Sequence, residues 1–311
     1  KSTFELNTIW ILLMNWIIVT IFAAFFQNLR SSIQKNLNKE VSTIASTYVR
    51  FAFALPFATI LFFIYFRNFQ IIHEILIQDN FIVYVFLGSL SQIIFTFILL
   101  YLFKFSNFMV GTSLSKTEVI QVAILEFFIL EEKLNKFGAS GIVIATLGII
   151  ILSIKDTKLF FKNLISKTTL IGLLSGFFLA LSVVYFRAAA LSLNNFQSNF
   201  EKAISTLFFG LLVQATVLTI YIFLFEKNQF SKLYKNKFAS FSAGIAGFLA
   251  TISWFYAFTL MQSSFVRALG QIEIIFSYFS SRFYFKEKIK INEIIGVIIF
   301  IIGILILLLL K

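Results

Sequence analysis

Apolar runs of about 18 to 25 residues recur along nearly the whole chain and are separated by short polar clusters. Runs of this length match the hydrocarbon core of a bilayer when they form α-helices. In lipid each backbone amide must find its hydrogen-bond partner within its own segment, so the runs predict helices. We predict ten spans, at about 8–28, 43–66, 80–103, 107–130, 138–154, 169–190, 197–225, 239–260, 263–285 and 292–310.

The composition supports an all-α integral membrane protein. Hydrophobic residues make up 59% of the chain and charged residues only 13%, whereas soluble domains carry about 25% charged residues. The nine connections are too short for an extramembrane domain, and the first apolar segment lacks a signal-peptidase site, so we count it as a span. The net charge of +12 fits basic loops at anionic headgroups better than nucleic-acid binding.

The inventory of reactive side chains argues against an enzyme. The chain has no Cys and one His, and His73 lies in a polar stretch between spans, where a solvated loop residue is expected. We find no Ser/His/Asp set, no metal-ligand spacing and no phosphate-binding glycine loop. A membrane enzyme would need a catalytic cluster at one interface, and a scaffold or sensor would need an output domain. We therefore predict no cofactor and no metal.

An internal repeat divides the chain into two halves, residues 1–155 and 156–311. Five spans per half is an odd number, so the second half enters the membrane from the opposite side, which predicts two inverted five-helix repeats with a site near the midplane. The looser match of residues 29–37 with 186–193 places Arg30 on Arg187. At a constant offset of 155 the identical pairs are Tyr101/Tyr256, Phe103/Phe258, Leu114/Leu269, Glu118/Glu273, Ile120/Ile275, Phe128/Phe283, Glu132/Glu287, Lys133/Lys288, Gly141/Gly296, Ile144/Ile299 and Gly148/Gly303.

Small residues predict where helices approach closely. Gly172 and Gly176, with Ala180 a turn later, form a flat stripe on the sixth span, and Ala243 and Gly247 do so on the eighth. Lipid provides no hydrophobic drive between helices, so contact over small residues stabilises such bundles.

Each half ends in a Glu-Lys turn, at 132–133 and 287–288, followed by a helix with glycines seven residues apart. With the ten spans in two halves, this pattern resembles the EamA-type branch of the drug/metabolite transporter superfamily over essentially the whole chain. The resemblance implies a carrier of small metabolites, often an exporter of amino acids or other metabolites, with a central cavity between the halves. It also implies that the Glu-Lys turns are structural groups at the membrane edge. We expect the protein in a bacterial inner membrane.

Two acidic residues are predicted to lie near the centre of the bilayer. Glu118 and Glu273 each fall about ten residues into a span, or about 15 Å deep, where insertion of an ionisable residue costs at least about 2.5 to 3.5 kcal/mol. They should therefore face the protein interior and find partners. Second-rank candidates for cavity contacts are Tyr101, Tyr256, Trp254 and Asn15, although packed or interfacial residues are commoner at such positions. The candidate partners of the acids are Arg50, Lys202, Lys116, Gln121, Arg267 and Gln271.

Three interpretations of these charges remain open. Arg50–Glu118 and Lys202–Glu273 are structural salt bridges between spans; or some of the groups bind a charged or zwitterionic substrate; or a buried Glu carries a coupling proton, because burial favours its neutral form. Glu126 and Arg282 lie near span ends and are expected to snorkel to the headgroups.

The first expectation for the solute is an amino acid or a related zwitterion. The alternative, a nucleotide sugar or phosphorylated metabolite, needs a denser basic cavity than Arg50, Lys116, Lys202 and Arg267 provide. Orientation gives two conflicting expectations. Relatives should have both termini in the cytoplasm. Lys and Arg, however, concentrate in the loops after odd-numbered spans, where Arg30 is counted, over those after even-numbered spans, where Arg187 is counted; the positive-inside rule therefore places the first set of loops, and neither terminus, in the cytoplasm. For the orientation of the termini we slightly favour the positive-inside rule. The sequence does not determine the oligomeric state.

Overall fold

The structure is a computed structural model. It describes residues 2–102, 104–105, 114–154, 157–162, 165–196, 198–276 and 291–309, with side chains from residue 15 onward in the first helix. These ranges contain helices, turns and connections and no strand. The helices are α1 (Ser2–Leu37), α2 (Thr43–Ala52), α3 (Leu55–Phe66), α4 (Gln70–Leu76), α5 (Phe81–Leu102), α6 (Glu118–Ile129), α7 (Lys136–Ser153), α8 (Thr157–Lys162), α9 (Lys167–Ser192), α10 (Asn199–Phe225), α11 (Asn228–Lys235), α12 (Lys237–Leu260), α13 (Ser263–Gly270) and α14 (Ile291–Leu309).

Within the described ranges, seven segments are long and apolar enough to cross a membrane. α14 adds a shorter apolar helix, Ile294–Leu309. α6 and α13 belong to the fourth and ninth predicted spans, and the remainder of these spans at 107–113 and 277–285 lies outside the described residues. The all-helical membrane fold is confirmed, whereas the count of ten spans stays a prediction. The seven segments are Asn15–Leu37, Thr43–Phe66, Phe81–Leu102, Lys136–Ser153, Lys167–Ser192, Asn199–Phe225 and Lys237–Leu260.

The outer surface of the bundle is apolar. Phe128 is 72% exposed, Phe225 71% and Ile60 59%. Many other large hydrophobic side chains are also exposed, which is not typical of a water-soluble surface. The interior, in contrast, holds buried Arg, Glu and Gln side chains. This distribution follows from acyl chains as the surrounding solvent, because polar groups are stable only where other protein groups meet them.

The second span is bent at the single proline of the chain. Pro56 lies in the first turn of α3, directly after α2 ends at Ala52. Proline has no N–H and fixes φ near −65°, so it starts a helix readily but cannot continue one. At the bend Phe53 approaches α12: a Cβ on Gly244 would lie 2.4 Å from the Cβ of Phe53 and 2.7 Å from its carbonyl oxygen. Gly244 is therefore required at this contact.

Repeat-related glycines hold α7 against α14. A Cβ on Gly141 would lie 2.9 Å from the carbonyl oxygen of Gly303, and one on Gly148 would lie 2.8 Å from that of Gly296. Rising numbers on α7 meet falling numbers on α14, so the helices are antiparallel. The glycines seven residues apart thus bring two backbones into direct contact.

Substitution of Gly148 by Ala is expected to destabilise this helix pair by about 1–3 kcal/mol, the usual cost of overpacking. The added methyl would lie 2.4 Å from the backbone nitrogen of Phe300, and a backbone inside a helix cannot move away locally. Denaturation in mixed micelles measures the loss in the free energy of unfolding. Gly88→Ala is the control, because its methyl would meet only the ring of Phe186 at 3.2 Å; equal losses from both variants would contradict the prediction.

The helices of the fourth and ninth spans are both interrupted. A turn at 116–117 precedes α6, and α13 ends in a turn at Gln271 before helical structure resumes at 272–276. Positions 116 and 271 differ by the repeat offset of 155, so the interruptions occur at equivalent places. Interrupted spans place backbone polar groups and side chains at membrane depth only where they line a cavity.

Two arginines counted as loop charges are buried. α1 continues to Leu37, so Arg30 belongs to the helix and is 3% exposed, while Arg187 lies within α9 and is 7% exposed. Counting them with the loops was wrong: Arg30 follows the predicted end of the first span, at about 28, because apolar periodicity ends that span too early, whereas Arg187 lies inside the sixth predicted span, 169–190. Removing them subtracts one basic residue from the loops after odd-numbered spans and one from the loops after even-numbered spans. The excess of Lys and Arg in the odd-numbered set, on which the positive-inside rule depends, is therefore unchanged.

Candidate functional site

A chamber of about 390 Å³ lies between the two halves of the chain. Its rim residues Gln27, Asn28, Ser31 and Lys116 are partly exposed, whereas Arg30, Glu118 and Arg267 are buried. Both halves contribute, through α1, α5 and the fourth span on one side and α9 and the ninth span on the other. The lining of this central chamber is Gln27, Asn28, Arg30, Ser31, Phe95, Leu99, Ser115, Lys116, Glu118, Leu179, Arg267, Glu273 and Ile274.

A small cavity of about 20 Å³ continues the chamber inward. The two cavities share Gln27, Leu179 and Arg267 as lining residues. We call the second cavity the deep extension; it is further lined by Arg50, Gln92, Ser182, Val183, Phe186, Thr251, Trp254, Phe255 and Phe258. Polar and aromatic side chains therefore line both cavities.

Glu118 is 1% exposed and pairs with Arg267. Both Nε, at 3.1 Å, and Nη2 of Arg267 donate to Oε1 of Glu118, and Nε2 of Gln271 donates to the same oxygen at 2.7 Å. Among the described residues, no donor meets Oε2 of Glu118. A buried ion pair with added hydrogen bonds can offset the desolvation of both charges.

Glu273 forms the second ion pair of the chamber, with Lys116 at 2.5 Å. Nε2 of Gln27 donates to Oε2 of Glu273 at 2.6 Å, and Nδ2 of Asn28 donates to its backbone carbonyl oxygen at 3.1 Å. The side chains of Lys116 and Glu273 are 21% and 13% exposed, so this pair lies nearer to the rim than Glu118–Arg267.

The hydrogen bond between Gln271 and Glu118 and the ion pair between Lys116 and Glu273 are related by the internal repeat. Position 118 of the first half meets position 271 of the second, and position 116 meets position 273. Because 116 and 271 are equivalent, as are 118 and 273, each contact is the reciprocal of the other. Such reciprocity is typical of a twofold relation, and α7 and α14 contact each other in the same way.

Trp254 fixes the position of Arg267. The guanidinium carbon of Arg267 lies 4.5 Å from the centre of the indole ring, a cation–π contact, and the indole N–H donates to Oε1 of Gln27 at 2.9 Å. A Cβ on Gly270 would lie 2.2 Å from the ring, so glycine is needed for the indole to lie against α13. Trp254, a second-rank candidate, therefore lies beside the chamber.

Two further guanidinium groups lie here without a carboxylate partner among the described residues. Arg50, 4% exposed, donates from Nη1 to Oγ1 of Thr96 at 2.8 Å, and its Nε has no acceptor in the described chain. Arg30 is 3% exposed, and no described residue accepts from its Nε or Nη1. Sequence reasoning missed Arg30 because it opens a polar cluster; the spacing of Gln27, Arg30 and Gln34 on one helical face was the available signal.

The other end of the bundle is tied together by Arg187. Its Nη2 lies 2.6 Å from Oε1 of Glu132 and its Nε donates to Oε2 at 3.2 Å, while Nη1 donates to the carbonyl oxygens of Phe258 and Met261. Glu132 belongs to the first half of the chain and the other three residues to the second. We call this group the Arg187 clamp.

Glu126 extends the clamp to α13. Its Oε1 and Oε2 accept hydrogen bonds from the backbone N–H groups of Ser263 and Ser264, and it lies 3.7 Å from Nε of Arg187. A carboxylate at a helix N-terminus satisfies free N–H groups and complements the helix dipole. The expectation that Glu126 snorkels to the headgroups was wrong: it is 1% exposed because the other half supplies donors for it.

The ion pairs predicted from the sequence were also wrong. Glu118 pairs with Arg267 instead of Arg50, and Glu273 pairs with Lys116 instead of Lys202. Lys202 lies in the first turn of α10 and lines neither cavity. Lys116, Arg267 and Gln271 were among the candidate partners, but which helices face each other is not encoded locally, so the acids were assigned to Arg50 and Lys202 instead.

The remaining candidates lie away from the chamber. Tyr101 is 39% exposed and stacks on Phe97, Tyr256 packs edge-on against Phe200, and Asn15 is exposed on α1. Arg282 and the second Glu-Lys turn lie outside the described residues. Gln121 donates only to Oγ1 of Thr117, at 3.2 Å.

The arrangement can bind a small polar molecule, and the described residues contain no group of three or more His, Cys, Asp or Glu side chains able to hold a metal ion. Glu118 and Glu273 form ion pairs, as the interpretation as structural salt bridges requires. They also line a chamber, as the interpretation as substrate-binding groups requires. Proton coupling through either acid stays a prediction.

Comparisons with known proteins agree with this architecture. Residues 9–154 and 166–309 each match the profile of the EamA-like transporter family. A solved protein crystal structure superposes with a TM-score of 0.70 over 95% of this chain and 98% of its own, at 12% sequence identity, a likeness that concerns the fold alone. No curated protein matches the sequence.

Proposed function

Since the chain belongs to the EamA-like transporter family, we propose that it is a secondary active transporter that moves a small organic metabolite across a bacterial inner membrane by alternating access. The observation that carries the proposal is a charged chamber inside a helical membrane bundle, reachable past a partly exposed rim and closed at the opposite end by the Arg187 clamp. The twelve residues of α6 separate the two ends by about 18 Å.

The reciprocal contacts support two inverted five-helix repeats, 1–155 and 156–311, as the moving parts. α7 and α14 meet through equivalent glycines, and the interrupted spans meet through equivalent charged and amide groups. In transporters built from inverted repeats, the substrate binds at the interface of the repeats, and rocking of one against the other alternates access. The central chamber occupies such an interface.

The solute proposed from the sequence is an amino acid or related zwitterion, which would need one free acid and one free base. Both acids of the chamber already form ion pairs, with Arg267 and Lys116, so the groups left for a solute are basic. This charge distribution favours an anionic solute, which is closer to the alternative from the sequence, a nucleotide sugar or phosphorylated metabolite, and also admits a carboxylate.

Counterflow in proteoliposomes tests the transport proposal. Vesicles with the purified chain are preloaded with one unlabelled solute, and uptake of the same labelled solute is followed over time, for amino acids, dicarboxylates, phosphomonoesters and quaternary amines. We expect transient accumulation of one class above the external concentration. Protein-free vesicles are the control, and chemical conversion of a solute without counterflow would contradict the proposal in favour of an enzyme.

A further inference from the structure

We propose that the chamber is an anion site: Arg30 and Arg50 hold an oxyanionic group of the substrate, carboxylate or phosphate, where the central chamber meets the deep extension. This inference rests on the proposed transport function and specifies its substrate class.

The charges around the two cavities do not balance. Four basic side chains, Arg30, Arg50, Lys116 and Arg267, face two acids, Glu118 and Glu273. The acids are matched one to one with Arg267 and Lys116. Arg30 and Arg50 remain as the excess within the described part of the chain, and each is at least nine-tenths buried.

A buried charge without a carboxylate in an ion pair is unfavourable. Arg30 and Arg50 repel each other and are both repelled by Arg267, while Glu273 attracts Arg30, so the net positive charge raises the free energy of the empty protein. A dianionic or monoanionic guest removes this penalty, so the same groups that destabilise the empty chamber provide affinity. The N–H donors without acceptors, Nε of both side chains and Nη1 of Arg30, are those that an oxyanion would satisfy.

The two arginines converge on one place. A Cβ on Gly247 of α12 would lie 3.5 Å from Cδ of Arg30 and 3.9 Å from Cγ of Arg50. Both side chains therefore pass over the same glycine, where a larger residue would push them apart. Arg30 lines the central chamber and Arg50 the deep extension, so their guanidinium groups flank the junction of the two cavities.

The rest of the chamber suits an organic body. Phe95, Leu99, Leu179 and Ile274 line it with apolar surface beside the charged groups. A chamber of about 390 Å³ falls within the range of about 300–1,000 Å³ that is typical of small-molecule sites. We therefore expect a small organic anion with an apolar portion and no requirement for an ammonium group.

Binding to the purified full-length chain tests the inference. Thermal-shift titrations at constant pH and ionic strength compare succinate, glycerol 3-phosphate, inorganic phosphate, leucine and choline at millimolar concentrations. We expect stabilisation by succinate or glycerol 3-phosphate and none by leucine or choline; the two organic anions distinguish a carboxylate site from a phosphate site. Inorganic phosphate should compete with the bound anion.

Arg30→Gln and Arg50→Gln should each raise the Kd of the stabilising anion at least about tenfold, since hydrogen bonds from a charged group contribute about 1.5–3 kcal/mol. Arg67→Gln, a change at the exposed residue that follows α3 and lines neither cavity, should leave Kd unchanged. Arg50→Gln should also leave the melting temperature of the empty protein unchanged or higher, whereas a merely structural arginine would lower it when replaced.

The outcomes separate the two proposals. Stabilisation by choline, stabilisation by leucine that Arg30→Gln and Arg50→Gln leave intact, no response to any anion, or an anion response that Arg50→Gln leaves intact would overturn the anion site. Anion binding that depends on Arg30 and Arg50 but gives no counterflow would uphold the site and overturn transport. Counterflow of a zwitterion that both variants leave intact would uphold transport and overturn the anion site.

Discussion

Glu118→Gln is expected to lower the free energy of unfolding by about 3–5 kcal/mol, the loss found when one partner of a buried ion pair is removed. The change keeps the shape of the side chain but leaves the guanidinium of Arg267, 3% exposed, without its counter-charge. It also adds one uncompensated positive charge to the chamber. Denaturation in mixed micelles, followed by tryptophan fluorescence, measures the loss.

A double-mutant cycle isolates the ion pair itself. Glu118→Gln combined with Arg267→Gln should recover much of the stability that either single change loses, because no unpaired charge remains. The matched control is the cycle of Lys116→Gln with Glu273→Gln. That pair is partly exposed, so water screens it and its coupling should be smaller. Additive losses at Glu118 and Arg267 would show that the two side chains do not depend on each other.

Arg187→Gln is expected to open the end of the bundle that the clamp closes. The change removes two bonds to Glu132 and two to backbone carbonyl oxygens, all of which tie the second half to itself or to the first. Each 1.4 kcal/mol removed from the closed state increases the open population about tenfold, so we expect at least that change.

The chain has no cysteine, so a single introduced thiol reports accessibility without background. Met261→Cys places it in the clamp, where the native side chain is 8% exposed and only the backbone carbonyl meets Arg187. A membrane-impermeant maleimide should label this thiol at least about ten times faster in the Arg187→Gln protein. Lys133→Gln, which removes an exposed charge beside Glu132, is the control, and equal labelling rates in all proteins would exclude the clamp as a gate.

α13 connects the clamp with the chamber. Its N-terminal backbone N–H groups, those of Ser263 and Ser264, donate hydrogen bonds to Glu126. The same helix of eight residues carries Arg267, which forms the ion pair with Glu118. Release of Glu126 from Ser263 and Ser264 would allow this short helix to move as a unit, and Arg267 with it. In the proposed alternating-access cycle, this rigid helix would couple the Arg187 clamp to the central chamber, because a rigid element transmits a shift that separate side chains would absorb.

The sequence alone determined the properties that depend on local composition and on spacing. Apolar runs give membrane helices because the bilayer has a fixed thickness, and Glu118 and Glu273 had to face inward because lipid does not solvate them. The offset of 155 identified Gly141 and Gly148 as the equivalents of Gly296 and Gly303, and these four glycines lie in the contact between α7 and α14.

Only the tertiary structure decided which groups meet. Arg267 lies 149 residues from Glu118, and Lys116 lies 157 residues from Glu273, and no local pattern selects these bases over Arg50 and Lys202. The burial of Arg30, Arg187 and Glu126 has the same cause. A charge at the end of an apolar run is stable either at the headgroups or against a partner from another helix, and the packing of the two halves determines which of these it finds.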